Sequence, residues 1–221
     1  MTTLKAAIKV LDCFRLFLFL IVFRIVNKFW HFPVPAFIGP FLDSNIRRRL
    51  QPPDKVIKRS GIKQGMRLLE LGCGSGAFTT SVAKAVGEQG KIYAVDIQPA
   101  MLKQLERKLA RPENQDLTNI ELIQANAYEL PFEEDSLDLA YLVTVFHEIP
   151  DRDRALREIK RILKPGGILA ITEFLLDTDY RPASAVIQRC QCGGFILNEN
   201  SGNLWNYTVR FKKPSSGIAT N

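Results

Sequence analysis

The chain is short of cysteine, has no unbroken apolar run long enough to span a membrane, and carries almost no basic excess after its first sixty residues. Its four cysteines, Cys13, Cys73, Cys190 and Cys192, fit neither a disulfide framework nor metal-ligand spacing. Cys190 and Cys192 form a C-x-C in a predicted helix–loop region, where a zinc site is not expected. All four read as reduced thiols in a cytosolic protein with no metal. The apolar stretch Phe14–Trp30 is broken by Arg15 and Arg24, leaving only Leu16–Phe23 uninterrupted, whereas a spanning helix needs about 20 mainly apolar residues. On a helix those two arginines point to opposite faces, so a full span is unfavourable. No small-residue cleavage pattern follows closely, which argues against a secretory signal. Arg47-Arg48-Arg49 has no interleaved aromatics and no basic continuation, so a nucleic-acid partner is not expected and a solvated helix face is the simpler reading. There is no internal repeat.

What remains is ordinary for a folded chain of 221 residues: 46% hydrophobic and 24% charged, enough for one domain with additions. Residues 1–60 hold eleven Lys/Arg against Asp12, Asp43 and Asp54, while the rest is nearly balanced. This asymmetry suggests an anionic surface as partner for the N-terminal part. Residues 1–50 therefore read as an apolar, basic helical segment. It either lies in a membrane interface, with Lys5, Lys9, Arg15, Arg24 and Lys28 near headgroups, or caps the body of the protein. Residues 51–213 form the expected domain, and 214–221 a disordered tail.

Within that domain, Arg67–Leu71, Lys91–Asp96, Ile120–Ala125, Leu137–Val145 and Ile168–Phe174 read as strands. Phe78–Val86, Pro99–Leu109 and Arg152–Leu163 show helical spacing, with Pro99 suited to a first turn and Lys164-Pro165-Gly166-Gly167 expected to turn the chain into the fifth strand. A short helix and two strand-like runs follow. Continuous apolar strands alternating with helices predict an open, mostly parallel α/β sheet.

The strongest local signal is Glu70-Leu71-Gly72-Cys73-Gly74-Ser75-Gly76, running from the first strand into a helix. Glycines here let a ligand approach the backbone near unpaired helix N–H groups. Asp96 ends the second strand, where a carboxylate can accept from both hydroxyls of a ribose. A nicotinamide dinucleotide would suit the same loop, and so would a glycine turn serving packing alone. Glu70, however, suits a cationic amino-acid moiety and is awkward beside a pyrophosphate.

Several motifs in order make a more specific pattern: Glu70–Gly76, Val95-Asp96, Ala125-Asn126-Ala127 with Leu130-Pro131-Phe132, Ser136-Leu137-Asp138, Leu163-Lys164-Pro165-Gly166-Gly167, and the ending Gly202–Val209. Over roughly 52–212 the chain resembles the class I S-adenosylmethionine-dependent methyltransferases, in the branch of the quinone-biosynthesis C-methyltransferases. The resemblance implies a Rossmann-like doubly wound sheet, mostly parallel, with a C-terminal antiparallel hairpin, plus the N-terminal apolar helix. It implies that Gly72, Gly74 and Gly76 line the methionine and ribose, with Glu70 near the amino group. Asp96 would bind the ribose, Ile97 the adenine face, and Asn126 and Ala127 the adenine edge. The family commonly has Asp where Asn126 stands; its carbonyl can still accept.

Methyl transfer is an in-line displacement, so positioning dominates and a base is needed only for a protonated acceptor. His147, beside Glu148 after the fourth strand, is the candidate catalytic residue, although a His bracing the loop would look the same. Tyr128 is a further candidate for the acceptor side. The expected substrate is a small lipophilic molecule, a quinone precursor or lipid, methylated in the cytosol or peripherally at the inner membrane face. The competing classes are an NAD(P)-dependent oxidoreductase and a non-catalytic methyltransferase-like binding module.

Overall fold

The computed structural model describes residues 45–175 and 180–215. The expected N-terminal apolar helix and most of the expected tail lie outside these residues. Two helices, α1 (Asn45–Leu50) and α2 (Pro53–Ser60), lead into the sheet. The order is then β1 (Arg67–Leu71), α3 (Thr79–Val86), β2 (Lys91–Asp96), α4 (Pro99–Leu109), β3 (Ile120–Gln124), β4 (Leu137–Val143), α5 (Arg152–Ile162), β5 (Leu163–Phe174), α6 (Ala183–Cys192), β6 (Ile196–Gly202) and β7 (Asn206–Lys212). No described helix is long and apolar enough to cross a membrane.

The strands form one seven-stranded sheet in the order β3-β2-β1-β4-β5-β7-β6. β1 to β5 run parallel, while β7 and β6 add the antiparallel hairpin. This is the expected doubly wound architecture. The central strands are covered on both faces, and residues such as Leu68, Leu69, Leu139 and Tyr141 are fully buried. Their sequences are accordingly continuous apolar runs without alternation.

The helices follow from capping and periodicity. α5 opens on Asp151, whose side chain accepts from Arg154 N. It buries Ala155, Leu156, Ile159 and Ile162 completely, one apolar stripe at helical spacing. Each large aliphatic side chain buried there contributes roughly 1.5–3 kcal/mol. Pro99 stands in the first turn of α4, as expected.

Pro53 opens α2, because proline in a first helical turn removes only an N–H that has no partner there. One feature differs from the sequence expectation. Lys164–Gly167 does not precede the fifth strand but is absorbed into it. The pairing jumps from Leu137↔Leu163 to Leu139↔Ile168, and the displaced backbone bonds to Lys213 instead.

The chain reverses direction across the sheet between β1 and β4, which leaves a crevice at their carboxyl ends. The register Leu71↔Val95 sets the loop after β1 directly beside Asp96, and Gly72 N and Cys73 N both donate to Val95 O.

Candidate active site

A cavity of about 330 Å³ opens at this crevice, within the size range of small-molecule sites. Its floor is the loop after β1. Gly72 and Gly74 both have positive φ, +74° and +54°. A Cβ on Gly72 would collide with Val145 at 2.5 Å, whereas one on Gly74 would meet no atom within 4 Å and would fill ligand space. Asp96 fixes the loop, its Oδ2 accepting from Gly74 N at 2.8 Å and its Oδ1 from Gln98 N at 2.8 Å. Each oxygen keeps a further lone pair for a ligand hydroxyl. Burial raises the Asp96 pKa, against the pull of the Gln98, Gly74 and Ile97 amides.

Glu70 is 4% exposed and also lines the cavity. Its Oε2 has no hydrogen-bond partner among the described residues. Burial pushes its carboxyl up to about 7, opposed by the nearby Thr79 and Tyr141 hydroxyls and the Lys108 ammonium. A buried carboxylate on a cavity wall is a ready site for a ligand cation. Cys73 lines the same wall, and burial holds its thiol well above its usual pKa, so it is protonated at neutral pH.

Of the sequence-predicted residues, Glu70, Gly72, Gly74, Asp96, Ile97, Asn126 and Ala127 all border this one cavity. Ile97 is 58% exposed, an apolar surface offered to a ligand. Asn126 Oδ1 accepts from Tyr128 N at 2.8 Å, so its carbonyl also holds its own turn. Gly76 sits below the floor: a Cβ there would meet Leu105, and its carbonyl accepts from the buried Lys108 ammonium. Tyr128 borders the cavity, and its hydroxyl accepts from Asp151 N at 3.0 Å, joining the loops that follow β3 and β4.

His147 is placed differently. It lies in a single 3-10 turn, Phe146–Glu148, is 2% exposed, and does not line the cavity. Its Nδ1 pairs at 2.7 Å with Oε2 of Glu173, which is fully buried. Its neighbour Glu148 is the side chain that borders the cavity.

The sequence puts Arg47 on a solvated helix face, yet it is the one basic side chain bordering the cavity among the described residues. Its Nη2 donates to Thr144 Oγ1 at 2.7 Å, across 97 positions of sequence. Thr144 has φ +58°, a conformation costly for a β-branched residue and typical of functional sites. No local signal marks such a contact.

Comparison with known proteins gives a consistent likeness. Residues 45–181 match the model of the ubiE/COQ5 methyltransferase family. The chain is 40% identical over 119 residues to the ubiquinone/menaquinone biosynthesis C-methyltransferase UbiE of Vibrio parahaemolyticus, covering 54% of this chain and 45% of that protein. It is 35% identical over 129 residues to a demethylmenaquinone methyltransferase of Geobacillus stearothermophilus, covering 58% and 54%. The chain thus spans about half the length of the curated relatives it matches. Among solved structures, a SAM-dependent methyltransferase from Aquifex aeolicus superposes with a TM-score of 0.75 at 25% identity, covering 81% of this chain and 99% of that one.

Proposed function

The chain belongs to the ubiE/COQ5 methyltransferase family, and on that premise we propose that it transfers the methyl group of S-adenosylmethionine to a small lipophilic acceptor of the quinone-precursor class. The observation that carries this reading is the cavity floor. The buried Glu70, whose Oε2 has no hydrogen-bond partner among the described residues, and the Asp96-tied glycine loop border one space at the β1/β4 crevice. The residues fit the cofactor group by group. Glu70 takes the ammonium and Asp96 the ribose hydroxyls. Ile97 covers the adenine face, with Asn126 and Ala127 at its edge. Arg47 supplies the positive charge that an α-carboxylate needs away from water.

When bound, S-adenosylmethionine supplies an electrophilic methyl group on a positively charged sulfur. The chain's own contribution is to hold that methyl and the acceptor in line and to keep water out. The acceptor class is supported by the relatives' names, a C-methyltransferase of ubiquinone/menaquinone biosynthesis and a demethylmenaquinone methyltransferase. The test is transfer of labelled methyl from S-adenosylmethionine to a reduced, short-tailed demethylmenaquinone. Label extracted into the organic phase is the expected result; label left wholly in the aqueous phase overturns the proposal.

We place the reaction at the cytosolic membrane face. Support comes from the basic, apolar residues 1–50 and from Leu204 and Trp205, 78% and 59% exposed at the β6–β7 turn. Phe174, the last residue of β5, pairs with Asn206, which sets that turn at the same carboxyl end of the sheet as the cavity. A tryptophan beside an apolar residue suits a membrane interface. The full-length protein is expected to float with phosphatidylglycerol vesicles, and a variant lacking residues 1–30 to remain at the bottom of the gradient. A full-length protein that never floats contradicts the membrane placement.

A further inference from the structure

A methyl acceptor of the quinol class is a protonated phenol at neutral pH, with an ordinary pKa about 10, and its ring carbon is a strong nucleophile only once that hydroxyl is ionised. The cavity's three carboxylates divide by position. Glu70 and Asp96 belong to the floor and to β2, whereas Glu148 follows β4, on the other side of β1. Behind Glu148 stands a buried pair. Glu173 Oε2 holds His147 Nδ1 at 2.7 Å, and the other imidazole nitrogen, Nε2, lies 4.0 Å from Glu148 Oε1. The turn carrying both residues is clamped by Arg152, which donates through Nε to Phe146 O at 3.0 Å and through Nη2 to His147 O.

We propose that Glu148 is the general base of the transfer, the catalytic residue that touches the acceptor hydroxyl, and that His147 and Glu173 are positioning residues that receive and hold the proton behind it. This rests on the methyltransferase reading above. A glutamate alone, with an ordinary pKa about 4.3, is poorly matched to a phenol. An imidazole, at about 6.5, is the better proton store, and a buried carboxylate on its far nitrogen orients it and stabilises its cation. The acceptor O–H bond breaks and its proton goes to Glu148, which passes it to His147 Nε2 once a rotation of the Glu148 side chain closes the 4.0 Å between them. A ring carbon then bonds to the methyl carbon as the methyl–sulfur bond breaks, its electron pair staying on sulfur. The ring C–H proton leaves through Glu148 to solvent, restoring aromaticity. The stored proton returns to the phenolate oxygen, so the turnover releases one proton.

The test is chemical rescue in the full chain, with reduced short-tailed demethylmenaquinone as acceptor. Glu148→Ala is expected to lower kcat about 100-fold or more. Acceptor KM and S-adenosylhomocysteine affinity stay within about threefold, and added formate restores at least about tenfold of the lost rate. Glu148→Gln, which keeps the side-chain volume, loses the same kcat at an unchanged melting temperature. Glu173→Gln lowers kcat about tenfold, and that deficit shrinks for a ring-chlorinated, more acidic acceptor, as a purely structural role would not require. The proposal is overturned if either Glu148 variant keeps kcat within threefold of wild type, or if formate restores nothing while cofactor affinity holds. Wild-type protein that binds no S-adenosylhomocysteine overturns the methyltransferase reading itself, a separate and distinguishable failure.

Discussion

Asp96→Ala is expected to weaken S-adenosylhomocysteine binding by about 2–3 kcal/mol, roughly 30- to 150-fold. Two losses combine. A ribose would lose charge-assisted acceptors, and Gly74 N and Gln98 N lose the partners that hold the loop and the start of α4 in place. Asp96 is 7% exposed, so water compensates poorly. Asp96→Asn keeps one neutral acceptor and should fall between wild type and alanine. Calorimetry on the three proteins gives the ranking; an alanine variant that binds like wild type would mean that the ribose lies elsewhere.

The second large effect is a pH dependence set by Glu70. Its carboxyl is raised by burial from 4.5 to about 7 in the folded protein. The native state therefore binds more protons than the unfolded chain between these values. Stability of the ligand-free protein should be full below about pH 4.5, fall as pH rises towards 7, and level off above it. The loss attributable to this group is on the order of 3 kcal/mol. Glu70→Gln removes the ionisation, so that variant should be the more stable protein at pH 8 and lose this slope in denaturant titrations. Cofactor affinity should run the opposite way. A bound ammonium favours the carboxylate, so S-adenosylhomocysteine affinity rises with pH up to about 7 in wild type. It should stay flat over that range in Glu70→Gln. Parallel slopes for the two proteins would show that Glu70 is not the ammonium's partner.

The regular part of the fold was legible because each signal was local. β1 and β2 match their apolar runs residue for residue, and α4 begins at the proline that suits its first turn. The Glu70–Asp96 floor was legible for the same reason, since a strand, a glycine loop and the acid ending the next strand fall in fixed order. What could not be read depends on direction and distance. The sequence places His147 and Glu148 in the cavity-side loop, but the 3-10 turn sends the first inward to Glu173 and leaves the second at the cavity. Arg47 meets Thr144 across 97 positions of sequence, a tertiary contact that no local pattern carries. Lys164–Gly167 reads as a turn although the pairing with β4 carries it as a bulge.

For this chain to act as a methyltransferase, the crevice between β1 and β4 must accept a sulfonium nucleoside. Isothermal titration of the full-length protein with S-adenosylhomocysteine and, separately, with NAD measures this directly. Saturable binding of the first with no heat from the second is the predicted outcome. Binding of NAD alone, or of neither, contradicts it.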